Sequence, residues 1–197
     1  MIIGLTGGIA TGKSESVKHF KALGAHTIDA DAISRELTSK GTPVLNELVK
    51  SFGSGILRSD GSLNRKKLAD IIFSDKKAKF SVEKILHTHI ISHISKIISH
   101  NANKHNIVID APLLFEVGLN KMCDKIVVVW IPSNIQVKRL TLRDKLNADQ
   151  IKQRIDSQMP IEKKVELADF VIDNSGSKKD LKKSIKDLYK LLTSKQK

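Results

Sequence analysis

The chain has 197 residues, 40% of them apolar and 28% charged, and 34 Lys and Arg against 21 Asp and Glu give a net charge of +13. That length suits one domain with one sizeable core, and the composition excludes wholesale disorder. No run of about 18 apolar residues is present to span a membrane, the N-terminus lacks the regions of a secretory signal, and the single Cys123 excludes an internal disulfide framework, so the expected setting is the cytoplasm.

In chain order, Ile2–Thr6 is near-continuous and β-branched, the pattern of a strand buried on both faces. Gly7-Gly8-Ile9-Ala10-Thr11-Gly12-Lys13-Ser14 follows it, and a helix is predicted over Lys13–Leu23. Thr27–Asp29 is a second short strand. From 31 to 106 no strand is predicted; turn signals stand at Gly41-Thr42-Pro43, Gly53-Ser54-Gly55 and Asp60-Gly61. The best helix there is Val82–Ile98, with Val82, Ile85, Leu86, Ile90, Ile94, Ile97 and Ile98 at helical spacing. This stretch is expected to be a helical insertion over the sheet edge. Ile107–Asp110 and Ile126–Ile131 are the third and fourth strands. A helix over Ser133–Arg143 is predicted next, with Ser133 as its N-cap beyond Pro132. The polar stretch 143–164, with Pro160 between two helical pieces, is where a mobile cover is expected. Phe170–Asp173 is the fifth strand, and Lys178–Leu192 closes the chain with Leu181, Ile185, Leu188 and Leu192 on one stripe. Strands alternating with helices predict an α/β fold: a three-layer α/β/α domain with a five-stranded parallel sheet.

The segment Gly7 to Ser14 fits G-x-x-x-x-G-K-[ST] between a strand and a helix, the context that gives this motif its meaning. Gly7 and Gly12 are expected to adopt backbone angles that a side chain would forbid. Successive N–H groups then form an anion nest, and the head of the following helix adds a positive dipole end. Lys13 would place a compact charge on the β- and γ-phosphates of a nucleotide, and Ser14 would offer its hydroxyl to Mg²⁺.

Carboxylates at strand ends are the candidates for orienting an acceptor, since ligands of such sheets sit outside the carboxyl ends of the strands. Asp29 and Asp31 stand at the end of the second strand, where alternation would send both to one side. Two readings of Asp31 stand level: a base for an attacking hydroxyl, or a helix N-cap. Asp110 closes the third strand and is a candidate to hold Mg²⁺ through water. Glu116 ends the loop that follows, beside an apolar group. Arg139, Arg143 and Arg154 stand out in a chain with 28 Lys and only 6 Arg. Two of the three are expected to close on a transferring phosphoryl group, whereas each alone also reads as a surface ion pair, Arg143 with Asp144 or Asp149. His87, His89 and His93 read as histidines at the core edge rather than as a metal site, for want of a further ligand at sensible spacing.

Eight Lys against Asp180 and Asp187 make the stretch 178–197 locally +6, read as a solvated helix face. Few Arg, a single Trp130 and Tyr189, and six Phe that read as core argue against a polynucleotide groove; a smaller polyanion suits the charge better.

Taken together, these blocks resemble the dephospho-CoA kinase family from Ile2 to about Gly176. Leu5 to Ser14 resembles its phosphate loop, and Ile28-Asp29-Ala30-Asp31 with Arg35 resembles its acidic motif. Asp60-Gly61-Ser62-Leu63-Asn64-Arg65 and Leu86-His87 resemble parts of its insertion. Pro112-Leu113-Leu114-Phe115-Glu116 resembles its acceptor-side loop. Arg143-Asp144, Gln158, Lys164 and Ala168 to Gly176 resemble its cover and last strand.

The resemblance implies transfer of the γ-phosphoryl group of ATP to the ribose 3′-hydroxyl of dephospho-CoA, the last step of coenzyme A synthesis, with Mg²⁺ as cofactor. By position it implies Asp31 as general base, Lys13 as phosphate lysine and Arg143 as the cover's arginine. Gly8, Ile9, Ala10, Thr11, Gly12, Lys13, Ser14, Glu15 and Asn174 would face ATP. Thr6, Asp31, Arg35, His87, Leu114 and Phe115 would face the acceptor, and Ser14 with Asp110 the metal. Ala10, Glu15 and Thr88 depart from the family's usual Gly, Thr and Pro. The expected organisation is one domain over 1–197, with an insertion at 31–106 and a lid at 143–164. The partners implied are ATP and dephospho-CoA, without nucleic acid or membrane, for a monomer or small homo-oligomer. Two other functions fit the motif alone: a nucleoside or nucleotide kinase, and a basic ATP switch that binds polynucleotides.

Overall fold

The structure, a computed structural model, describes residues 1–194. Lys195 and Lys197, two of the eight lysines counted in the last stretch, lie outside the described residues. Five strands, β1 (Ile2–Gly7), β2 (His26–Asp29), β3 (Ile107–Asp110), β4 (Lys125–Trp130) and β5 (Phe170–Asp173), form a parallel sheet in the order β2-β3-β1-β4-β5. Leu5 lies beside Asp110 of β3, and Gly7 beside Val129 of β4. This register brings the ends of β1 and β3 together and so sets the motif's lysine beside Asp110. The central strands read as unbroken Val and Ile because both faces of the sheet are covered; Val108, Ile109, Val127, Val128 and Val129 are fully buried.

Among the described residues the chain divides into two compact units, Met1–Ile28 with the chain from His100 onward, and Asp29–Ser99. The first unit holds α1 (Lys13–Ala22), α6 (Ser133–Asp144), α7 (Ala148–Asp156), α8 (Ile161–Glu166) and α9 (Lys178–Ser194). Its core joins Ile3, Leu5, Val127 and Val129 to Phe20 of α1 and to Leu181, Ile185 and Leu192 of α9, the stripe expected from the sequence. Phe20 meets Tyr189 edge to face at 5.9 Å, and its complete burial is worth about 1.5–3 kcal/mol. Ser133 does not cap α6. Pro132 occupies the flanking position and no side chain caps the helix, because Ser133 already has helical geometry. Beneath β1, a Cβ on Gly4 would meet the Cys123 sulfur and a Leu114 methyl at 2.8 Å each, so glycine is required there for packing. Burial and the neighbouring Asp124 push the Cys123 thiol up to about 12.

The second unit spans 29–99 against the 31–106 expected of the insertion. It holds α2 (Ala30–Leu37), α3 (Pro43–Phe52), α4 (Arg65–Ser74) and most of α5 (Lys76–Asn101). Thr42 caps α3 with Pro43 in its first turn, and Asn64 caps α4. Leu45, Leu48, Ile56, Leu63, Leu68 and Val82 form its core. α5 runs longer at both ends than its apolar stripe, since charged and polar residues extend it into solvent. The six Phe are not all core: Phe73 is 84% exposed and Phe80 68%. Alternation and helical spacing mark where an apolar face begins, but not that these two rings fall off it.

Candidate active site

The glycine turn is built from the carbonyl side. The Thr11 hydroxyl donates to Gly8 O (2.9 Å), the Gln136 amide to Ile9 O (2.8 Å) and the Asn174 amide to Thr11 O (2.7 Å). Glu15 N and Ser16 N donate to Gly12 O. Thr11 N donates to Gly8 O, while peptide planarity turns the amides of Ile9, Ala10, Gly12 and Lys13 away from the held carbonyls that precede them, the arrangement of an anion nest. Gly12 is left-handed at φ 95°, and no side chain caps α1. Of the first amides of α1, those of Lys13 and Ser14 therefore remain available to an anion, reinforced by the helix dipole.

Gly12 uses the conformational freedom expected of it; Gly7 does not. Gly7 has no positive φ, and its need is space: a Cβ there would lie 2.6 Å from Val129 O and 2.8 Å from the Thr11 hydroxyl. Gly7→Ala is expected to cost about 1–3 kcal/mol of stability by overpacking against fixed backbone, measured as a lower midpoint in urea unfolding. Ala10 is left-handed at φ 62°. The departure from Gly thus places a side chain where L-residues are strained by about 1–2 kcal/mol.

The Lys13 ammonium is bonded to the Asp110 carboxylate, with side chains only 13% and 12% exposed. Ser14 stands exposed at the head of α1. Glu15 pairs with Lys18 at 3.0 Å, and this partner holds its carboxyl below the usual range. The departure at Glu15 therefore spends its charge along the helix face.

Of the three arginines, Arg139 donates to the Asn174 backbone carbonyl at 2.9 Å. Arg143 forms a two-pronged pair with Asp144 at 2.7 and 2.9 Å, and Arg154 shares the same carboxylate at 3.0 Å. The ion-pair reading of Arg143 is thus the one seen. Thr6 is fully buried and donates to Pro112 O at 3.1 Å. In the loop after β3, Leu114 is fully buried and fills the space over Gly4, leaving Leu113 exposed and Phe115 half-buried. A cleft of about 350 Å³ opens beside the glycine turn, lined by Gly8, Ser133, Gln136, Ile155, Met159 and Ile161.

In the second unit, α2 begins at Ala30, so strand alternation does not extend to Asp31. Asp29 is the cap, accepting from Ala32 N at 2.8 Å. Asp31 lies exposed in the first turn of α2 and is not the capping residue. Arg35, one turn on, is exposed and 3.9 Å from Asp29. His87 is half-buried on α5, and burial lowers its proton affinity. His89 pairs with Glu47 at 2.8 Å. Among the described residues no group of three or more His, Cys, Asp or Glu is placed to hold a metal ion. The Thr88 hydroxyl turns back to Lys84 O.

One polar residue that holds the site was not singled out from the sequence, Gln136, which fixes the turn; Lys164, named there only through the resemblance of the cover, is fully buried. Nothing in a helical Gln announces a bond to a carbonyl 127 residues earlier.

A parallel α/β sheet whose central strand runs through a glycine turn into a lysine-headed helix defines a P-loop kinase fold. Shikimate kinase from Acinetobacter baumannii shares that fold at 16% identity (TM-score 0.54). The dephospho-CoA kinase family matches residues 1–180. A dephospho-CoA kinase from Bacillus licheniformis is 37% identical, covering 95% of this chain and 94% of its own, and one from Aquifex aeolicus is 41% identical, covering 97% of each. The solved structure of the Campylobacter jejuni dephospho-CoA kinase superposes with TM-score 0.74 at 28% identity, over 100% of this chain and 98% of that one. This chain belongs to the dephospho-CoA kinase family. No helix among the described residues is long and apolar enough to cross a membrane.

Proposed function

We propose that this chain transfers the γ-phosphoryl group of ATP to the ribose 3′-hydroxyl of dephospho-CoA, giving coenzyme A and ADP, in the cytoplasm and as a monomer or small homo-oligomer. Family membership supports the substrates. The observation that carries the chemistry is the anion cradle: four held carbonyls, a left-handed Gly12, an uncapped α1 and a nearly buried Lys13. The triphosphate takes the place that Asp110 now holds at Lys13. Asp31 accepts the 3′-hydroxyl proton as that oxygen attacks the γ-phosphorus, and the bond to the β,γ-bridging oxygen breaks. Arg143 exchanges Asp144 for the transferring group when the cover closes, supplying planar charge where it develops.

Magnesium suits the donors at hand, since Ser14 and Asp110 offer hard oxygens beside the cradle. When bound, it neutralises charge on the β- and γ-phosphates. Gly8 to Glu15 and Asn174 border the nucleotide; Arg35, His87 and Phe115 serve the acceptor.

The test is a coupled assay of ADP release with and without dephospho-CoA, with the product's phosphate position read by NMR. ADP release that depends on dephospho-CoA and yields the 3′-phosphate is expected. Release that ignores dephospho-CoA but follows a nucleoside would overturn the reading.

A further inference from the structure

We propose that Lys164 is a positioning residue that ties the base of the polar cover to the loop after β3, so that cover and acceptor loop respond to substrate as one piece. This deepens the phosphotransfer reading above and rests on it. Lys164 lies on α8 and is the only fully buried charged side chain among the described residues of a chain with 28 lysines. An ammonium enters an interior only where partners replace its water. Its Nζ donates to Pro112 O at 2.5 Å and to Glu116 Oε1 at 3.1 Å.

Both acceptors are shared. Pro112 O also receives the Thr6 hydroxyl at the end of β1, at 3.1 Å, and Glu116 Oε1 also receives Met159 N at 2.9 Å. Met159-Pro160 is the joint between α7 and α8. One ammonium therefore links the end of β1, the loop 111–116 and the joint of the cover. Burial and the nearby Lys13 charge lower the proton affinity of Lys164, and Glu116 opposes them. Space alone does not call for this arrangement, because an unbranched apolar side chain of the same length fills the site without giving up hydration.

Lys164→Met separates positioning from packing. The variant is expected to keep nucleotide binding within about twofold while the KM for dephospho-CoA rises about tenfold or more and kcat falls, as misplacement far from the chemistry does. Trypsin should cut faster at Lys145, Lys152 and Arg154. A folded variant with unchanged constants and unchanged cleavage would overturn the proposal, as would a uniform loss of nucleotide affinity and stability. If the Met variant does not fold, Glu116→Gln serves: it keeps the acceptor for Met159 N and removes the counter-charge. A change of about threefold in the same direction is expected, and wild-type behaviour counts against the tie. Should the unaltered protein transfer nothing to dephospho-CoA, the phosphotransfer reading fails; the proteolysis comparison still decides whether cover and loop are linked.

Discussion

Lys13→Ala is expected to lower kcat/KM for ATP about 10³-fold, with losses in both nucleotide affinity and turnover, as removal of a charge aimed at a transferring phosphoryl group does. The ammonium is only 13% exposed, and its partner Asp110 12%. Two effects add there. The attraction for phosphate disappears, and Asp110 is left as a poorly hydrated carboxylate that repels the same phosphate. Direct nucleotide binding by calorimetry and steady-state ADP release check this. The double variant Lys13→Ala with Asp110→Asn should recover part of the binding but little of the rate, since the repulsion is gone and the catalytic charge is still missing. Normal kinetics in Lys13→Ala would remove the glycine turn from the phosphate-binding role.

Asp31→Asn is expected to lower kcat about 10²-fold or more with nucleotide binding retained, because the amide cannot accept the hydroxyl proton. The neighbouring Asp29 supplies the control. Asp29 caps α2 through Ala32 N, and Asn caps about as well as Asp. Asp29→Asn should therefore leave turnover close to wild type, whereas Asp31→Asn should not. Equal losses at both positions would mean that the acidic pair acts on the helix; an unaltered kcat in Asp31→Asn would withdraw the base from the mechanism.

The strands were legible because parallel strands covered on both faces must be apolar throughout: Ile107–Asp110 and Phe170–Asp173 coincide with β3 and β5. The glycine turn was legible because its chemistry is local. What depends on distant contacts left no mark. Gly7 carries a spacing pattern that angle and crowding explain equally well, and only Val129, brought alongside by β4, decides for crowding. Leu113 and Leu114 are identical in chemistry, and the register over Gly4 alone determines which one is buried. The Asp29–Asp31 pair was open to two readings because a strand ending and a helix beginning impose opposite geometries on the same four residues. The structure makes the turn at Ala30. Lys164 is one of 28 lysines, and its burial follows from where α8 packs, not from anything adjacent in the sequence.

The thiol of Cys123 packs over Gly4 and is held up at about 12, so at neutral pH almost none of it is the thiolate that alkylating reagents attack. A cysteine introduced by mutagenesis on α7 would consequently be labelled with a fluorophore against a silent background. The chain carries in effect a ready-made reporter scaffold, in which the surroundings of α7 could be followed by spectroscopy without first deleting a native sulfhydryl.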